Sequence, residues 1–89
     1  MRFAAKVDAN HSEIVAALRK VGVSVQSMAA IGKGCPDILA AKGGKVWTIE
    51  IKGPKGKLTP DQVEWIGKWH GDVHIIRTVD EALTLVGVL

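Results

Sequence analysis

The pair Gly43-Gly44 limits what this chain can fold into more than any other feature. It separates two strand-length runs, about Asp37 to Lys42 and about Lys45 to Lys52. A two-residue Gly-Gly link between such runs predicts a hairpin, because a type I′ turn needs positive φ at both central positions. The turn also sets the register. Lys42 faces Lys45, and continuing outward pair by pair brings Asp37 opposite Glu50. Opposed residues hold their Cβ atoms ~5 Å apart on one face. Two carboxylates so placed repel each other. A cation between them removes that cost, and carboxylate oxygens suit Mg²⁺ or Mn²⁺.

Strand alternation adds a third group. Glu50 and Lys52 are two apart, so both point to one face, ~6.5 Å along the strand. Trp47, Ile49 and Ile51 take the opposite face and can enter a core. Asp37, Glu50 and Lys52 therefore converge on one patch. Two acids with an ammonium beside them suit metal-assisted phosphodiester hydrolysis, with the cation polarising phosphate and the lysine orienting water or stabilising developing charge. A one-residue slip in the hairpin would separate the acids.

The rest of the chain supplies the frame. Met1 to Val7 reads as a short strand or an ordered tail. Asn10 and Glu13 have the spacing of a capping box, followed by Ile14, Val15, Leu18 and Val21 at helical intervals and then Gly22. Val23 to Met28 reads as a strand, and Gly32-Lys33-Gly34 as a loop. After the hairpin comes the basic loop Gly53-Pro54-Lys55-Gly56-Lys57. Thr59, Pro60 and Gln62 then open a second helix with a capping box and a first-turn proline. Val63, Ile66 and Trp69 are its expected apolar stripe. Val73 to Arg77 reads as a fourth strand. Thr78 and Glu81 form a third box opening a last helix through Ala82, Leu83 and Val86. The order helix, three strands, helix, strand, helix predicts an α/β fold around one small mixed sheet.

Length and composition agree with one domain over residues 1–89. Apolar residues make up 47% and charged residues 24%, which excludes a disordered chain. No apolar run approaches the ~20 residues needed to cross a bilayer, and we expect neither a membrane association nor a secretory signal. One cysteine makes no internal disulfide, and the three scattered histidines add no zinc set to it. A reducing cytoplasm fits, and no organic cofactor is expected. Twelve Lys and Arg against nine Asp and Glu give +3, a mild lean towards nucleic acid.

Pro36-Asp37 and Glu50-Ile51-Lys52, with twelve residues between the acids, resemble the P-D…(D/E)-x-K signature of the restriction-endonuclease-like nucleases. The element order is similar to their helix-strand-strand-strand-helix-strand core. Gly34-Cys35-Pro36-Asp37, Glu50-Ile51-Lys52 and Leu58-Thr59-Pro60-Asp61-Gln62 resemble the virus-type replication-repair nuclease domain, VRR-NUC, over about residues 10 to 80. The resemblance implies that Asp37 and Glu50 bind the divalent metal, with the main-chain carbonyl of Ile51 as a further ligand. It implies that Lys52 is the catalytic lysine. It also implies that Gln62 lies beside the site, and that Glu13 of the first helix reaches a metal directly or through water. Gln62 and Glu13 each also complete a capping box, and the two roles are not exclusive.

Lys33, Lys55 and Lys57 sit in glycine-containing loops flanking this site, where lysine and approachable backbone amides suit phosphate. Gly32-Lys33-Gly34 lacks the spacing of a P-loop. Core packing is the first expectation for Trp47, Trp65 and Trp69, although Trp65 and Trp69 lie four apart and one or both could line a dimer interface. Cys35 is expected to be a small buried residue. The leading expectation is a Mg²⁺- or Mn²⁺-dependent DNA endonuclease, a homodimer cutting branched DNA such as four-way junctions. The alternatives are a flap or nicking nuclease, or a DNA-binding or assembly module without catalysis.

Overall fold

The computed structural model describes residues 9–89. The expectation for Met1 to Val7 lies outside them. The elements are α1 (His11–Lys20), β1 (Ser24–Ser27), β2 (Ile38–Lys42), β3 (Lys45–Ile51), α2 (Pro60–Lys68), β4 (His74–Ile76) and α3 (Val79–Leu85). The strands form one mixed sheet in the order β1-β2-β3-β4. β1-β2 and β2-β3 are antiparallel, and β3-β4 is parallel. Three helices on a four-stranded mixed sheet make the α/β, restriction-endonuclease-like arrangement expected from the order of elements.

The Gly-Gly turn behaves as its chemistry requires. Gly43 and Gly44 have φ of 58° and 80°, both in the left-handed region. Lys42 pairs with Lys45, and the ladder runs back to Ile38 against Ile49 in the register read from the turn.

Alternation divides the sheet into two faces. Ile38, Ala40, Ile49, Ile51 and Ile76 are buried on one face with Ile14 and Leu18 of α1 and Ala82 of α3, and Val23 and Val86 complete the cluster. Trp47 is half-buried at the edge of this core. Residues of even number in β3, among them Val46, Thr48 and Glu50, point the other way.

Helix α2 departs from expectation. It contributes no buried residue, and Val63 of its anticipated stripe is 57% exposed. Trp65 and Trp69 stack with ring centroids 4.9 Å apart instead of entering the core. The periodicity of α2 was read as a core stripe, but α1 and α3 already cover the apolar face of the sheet. No helix among the described residues is long and apolar enough to cross a membrane.

The three expected capping boxes have three outcomes. At α2 the box is complete: the Thr59 hydroxyl accepts from Gln62 N–H, and Gln62 Oε1 accepts from Thr59 N–H. At α3 the Thr78 hydroxyl accepts from Glu81 N–H, while Glu81 Oε1 takes the N–H of Arg77. At α1 there is no box. Asn10 has helical φ and ψ and makes no side-chain cap. Its carboxamide nitrogen donates instead to Lys52 O and Arg77 O, one residue past β3 and β4, and its oxygen accepts from no N–H of the first turn.

Candidate active site

The end of β3 gathers the acids. Asp37 lies just before β2, one step beyond the last ladder pair, and its backbone carbonyl accepts from Met28 N–H at 2.8 Å. Its Oδ2 reaches across to β3 and accepts from the N–H of Ile51 at 2.8 Å. The Ile51 side chain meanwhile is buried in the core, 2% exposed. One residue thus anchors the site from below and fixes Asp37 from its backbone.

Glu50 is 3% exposed. Its Oε2 accepts from Gln62 Nε2 at 2.9 Å and lies 3.5 Å from Lys52 Nζ. Its Oε1 is buried with no hydrogen-bond partner among the described residues. Burial first, then the negative charge of Asp37, push the Glu50 carboxyl up to about 7, against the opposing pull of Lys52. A carboxylate oxygen left without a partner in a buried place is costly, so the arrangement calls for a ligand that accepts lone pairs. A divalent cation shared with Asp37 would meet that need, and carboxylate oxygens are the donors such a hard cation takes. Among the described residues no third His, Cys, Asp or Glu joins the pair.

Gln62 works in two directions. Its carboxamide oxygen completes the cap of α2 and its nitrogen holds Glu50. The first turn of α2 is therefore docked on the site by one side chain. Gly34 presses against the same turn. A Cβ built there would lie 2.2 Å from Asp61 O and 2.8 Å from Gln62 N, and φ is +84°. Only glycine fits, so the loop before Pro36-Asp37 and the start of α2 are held in close contact.

The remaining residues singled out from the sequence are scattered. Glu13 is exposed in the first turn of α1, and no hydrogen bond or ion pair among the described residues draws it to the acids. Lys33 is exposed between Gly32 and Gly34 with φ +54°, a left-handed conformation that pushes its side chain out on a strained loop. Lys55 and Lys57 are exposed beyond β3. Cys35 is half-buried, not enclosed as expected. Burial and then the charges of Glu50 and Asp37 raise its thiol pKa, which places it beside the acids and keeps it protonated.

Sequence reasoning missed two contributors and misread a third. Asn10 was read as a cap. Gly34 was read as loop punctuation and as the first residue of the Gly34-Cys35-Pro36-Asp37 motif, not as a packing position against α2. Arg77, whose Nη1 donates to Gly53 O, gave no local signal at all.

A buried glutamate beside a half-buried aspartate at the hairpin base, with a lysine two residues on, set in this fold, defines a nuclease of the P-D…(D/E)-x-K superfamily. A family model described as archaeal Holliday junction resolvase (hjc) matches residues 4–74, and the chain belongs to that family. Members of the family are metal-dependent nucleases. No curated protein and no solved structure matches the chain.

Proposed function

We propose that this chain is a Mg²⁺- or Mn²⁺-dependent DNA endonuclease that cuts branched DNA, four-way junctions first. The observation that carries the reading is Glu50: a buried carboxyl with one oxygen unpartnered, facing Asp37 and backed by Lys52. Asp37 and Glu50 are the metal ligands in this reading, joined by the main-chain carbonyl of Ile51. A divalent cation held there would supply polarisation of the scissile phosphate and activation of the attacking water. Gln62 keeps Glu50 aimed, and the Asp37–Ile51 bond keeps Asp37 aimed. Lys52, 9% exposed, offers its ammonium to the attacking water or to charge building on phosphorus. Glu13 is the more distant member of the set. Lys33, Lys55 and Lys57 hold the DNA backbone around it.

Within the superfamily, the motifs around Asp37, Glu50 and Gln62 favour a VRR-NUC-type domain. The site face supports a homodimer. Val46 is 62%, Val63 57% and Trp69 46% exposed, and Leu39, Val46, Thr48 and Trp69 line one groove. A second copy of the chain would cover this apolar surface. Two sites related by a two-fold axis suit paired cuts across a four-way junction. A reducing cytoplasm is the setting we infer.

The test is cleavage of labelled four-way junction, flap and linear duplex, each with Mg²⁺, Mn²⁺ or EDTA and with Lys52→Ala in parallel. Symmetric paired cuts that need metal and vanish in the variant are the expected result. Flap-directed or single cuts would replace the junction reading. Binding without cutting on any substrate would leave a non-catalytic module. Equilibrium sedimentation showing only a 9.5 kDa species would remove the dimer.

A further inference from the structure

We propose that Asn10 is a positioning residue for Lys52, the first of two side chains that clamp the backbone where β3 ends. The inference rests on the reading that Lys52 acts in cleavage. β3 stops at Ile51, and beyond it the ladder reaches Lys52 only through its N–H, leaving the Lys52 carbonyl outside the sheet. Gly53 follows, and glycine gives the backbone its widest freedom there. Yet the Lys52 ammonium must stay beside Glu50, 3.5 Å away.

Four hydrogen bonds hold the backbone at this exit. Lys52 N–H donates to Ile76 O of β4 at 3.0 Å. Asn10 Nδ2 donates to Lys52 O at 3.0 Å and to Arg77 O at 2.6 Å. The Arg77 guanidinium donates to Gly53 O. Asn10 thus ties the start of α1 to the exits of two parallel strands, and Arg77 fixes the next residue. Both partners of Asn10 are carbonyl oxygens, which requires its nitrogen to face them. Its Oδ1 pays the cost, buried with no partner among the described residues. Asn10 also forgoes the helix cap its position offers, since it makes no side-chain cap bond at α1.

The test compares wild type with Asn10→Asp, Asn10→Gln and Arg77→Gln. Asn10→Asp keeps the shape and loses both donors. Asn10→Gln keeps the donors on a longer arm. Junction cleavage is followed with enzyme in excess, and junction affinity and melting are measured beside it. Misplacement by about 1 Å at a reacting group can cost about 10²-fold. We expect Asn10→Asp to cut about 10- to 100-fold more slowly with junction affinity changed less than about twofold. Asn10→Gln should recover a large part of the rate. An unchanged rate in Asn10→Asp, or a loss shared equally by rate and affinity, overturns the proposal. If Asn10→Asp does not fold, Arg77→Gln decides. A rate loss at intact affinity upholds the clamp, and an unchanged rate overturns it. If wild type cuts no junction, the proposed function has failed, and hydrogen exchange then judges the clamp alone. Exchange accelerated selectively at the Lys52 amide in Asn10→Asp or Arg77→Gln, and less so in Asn10→Gln, upholds it, and exchange unchanged there in Asn10→Asp and Arg77→Gln overturns it.

Discussion

The two faces of β3 differ in what they ask of the same seven residues. On one face Ile49 and Ile51 are buried in one apolar cluster with residues of α1 and α3. On the other Glu50 is as deeply buried, but against another acid and with an oxygen unpartnered. The first face stabilises the fold and the second draws on that stability. The contrast predicts that neighbouring substitutions separate folding from chemistry. Ile49→Ala should destabilise by about 2–5 kcal/mol, enough to lower Tm by 10 °C or more in a domain of about this size. Glu50→Gln should stay folded and lose about 10³-fold or more of metal-dependent cleavage. Thermal melting and junction cleavage on both variants check this. A Glu50→Gln protein that melts far below wild type would show that the acid supports the fold.

The same contrast has a pH signature. The folded Glu50 carboxyl titrates near 7, above its ordinary 4.5, because burial and Asp37 disfavour its charge. A raised carboxyl pKa means the folded state holds a proton that the unfolded chain gives up earlier. The stability that this group contributes is therefore full below 4.5 and is lost as pH rises through about 7. Metal-free wild type should fall behind Glu50→Gln in melting temperature between pH 5 and pH 8. Stabilisation by Mn²⁺ should change the opposite way and grow with pH, since the cation displaces that proton. Melting curves across this range, with Mn²⁺ and with EDTA, measure both. A gap independent of pH would remove the proton from the account.

Much of this was readable in the sequence where one local rule had a single solution. Gly43-Gly44 admits one turn, that turn admits one register, and the register brings Asp37 to the end of β3 carrying Glu50. The Thr59–Gln62 box was legible because its partners are all local. Asn10 was not legible for the opposite reason. Its spacing to Glu13 matches a box, but its amide nitrogen donates to carbonyls 42 and 67 residues away and its oxygen makes no cap. The stripe on α2 misled because periodicity identifies an apolar face without saying what covers it. The role of Gly34 depends on a helix that begins 26 positions later, which no local pattern reports.

Gly34 offers a sharper version of the comparison, between two glycines of one loop. Both Gly32 and Gly34 have positive φ, but only at Gly34 would a Cβ strike the start of α2. Gly32→Ala should cost about 1 kcal/mol of backbone strain and leave cleavage nearly unchanged. Gly34→Ala should add a clash that pushes α2 and Gln62 away from Glu50. We expect a further loss of about 1–3 kcal/mol and a cleavage rate lower by about tenfold. Gln62→Ala should reproduce the rate loss with less of the stability loss. Equal behaviour of the two glycine variants would mean that α2 does not need its present seat.

The smallest effects belong to the exposed lysines, and they mark the outer limit of the site. Lys33, Lys55 and Lys57 are solvent-exposed, so removing any one leaves Asp37, Glu50 and their hydrogen bonds untouched. Their contribution is charge on phosphate, which depends on salt and not on base sequence. Each Lys→Ala change should weaken junction binding by a few fold at low salt and lower the magnitude of the log K against log salt slope by about 1. Cleavage at saturating enzyme should hold. Titration of labelled junction in Ca²⁺ over a range of salt reads this directly. A lysine whose removal shifts affinity without changing the slope is not on a phosphate. One whose removal slows cleavage at saturation belongs with Lys52 on the inner side of the comparison.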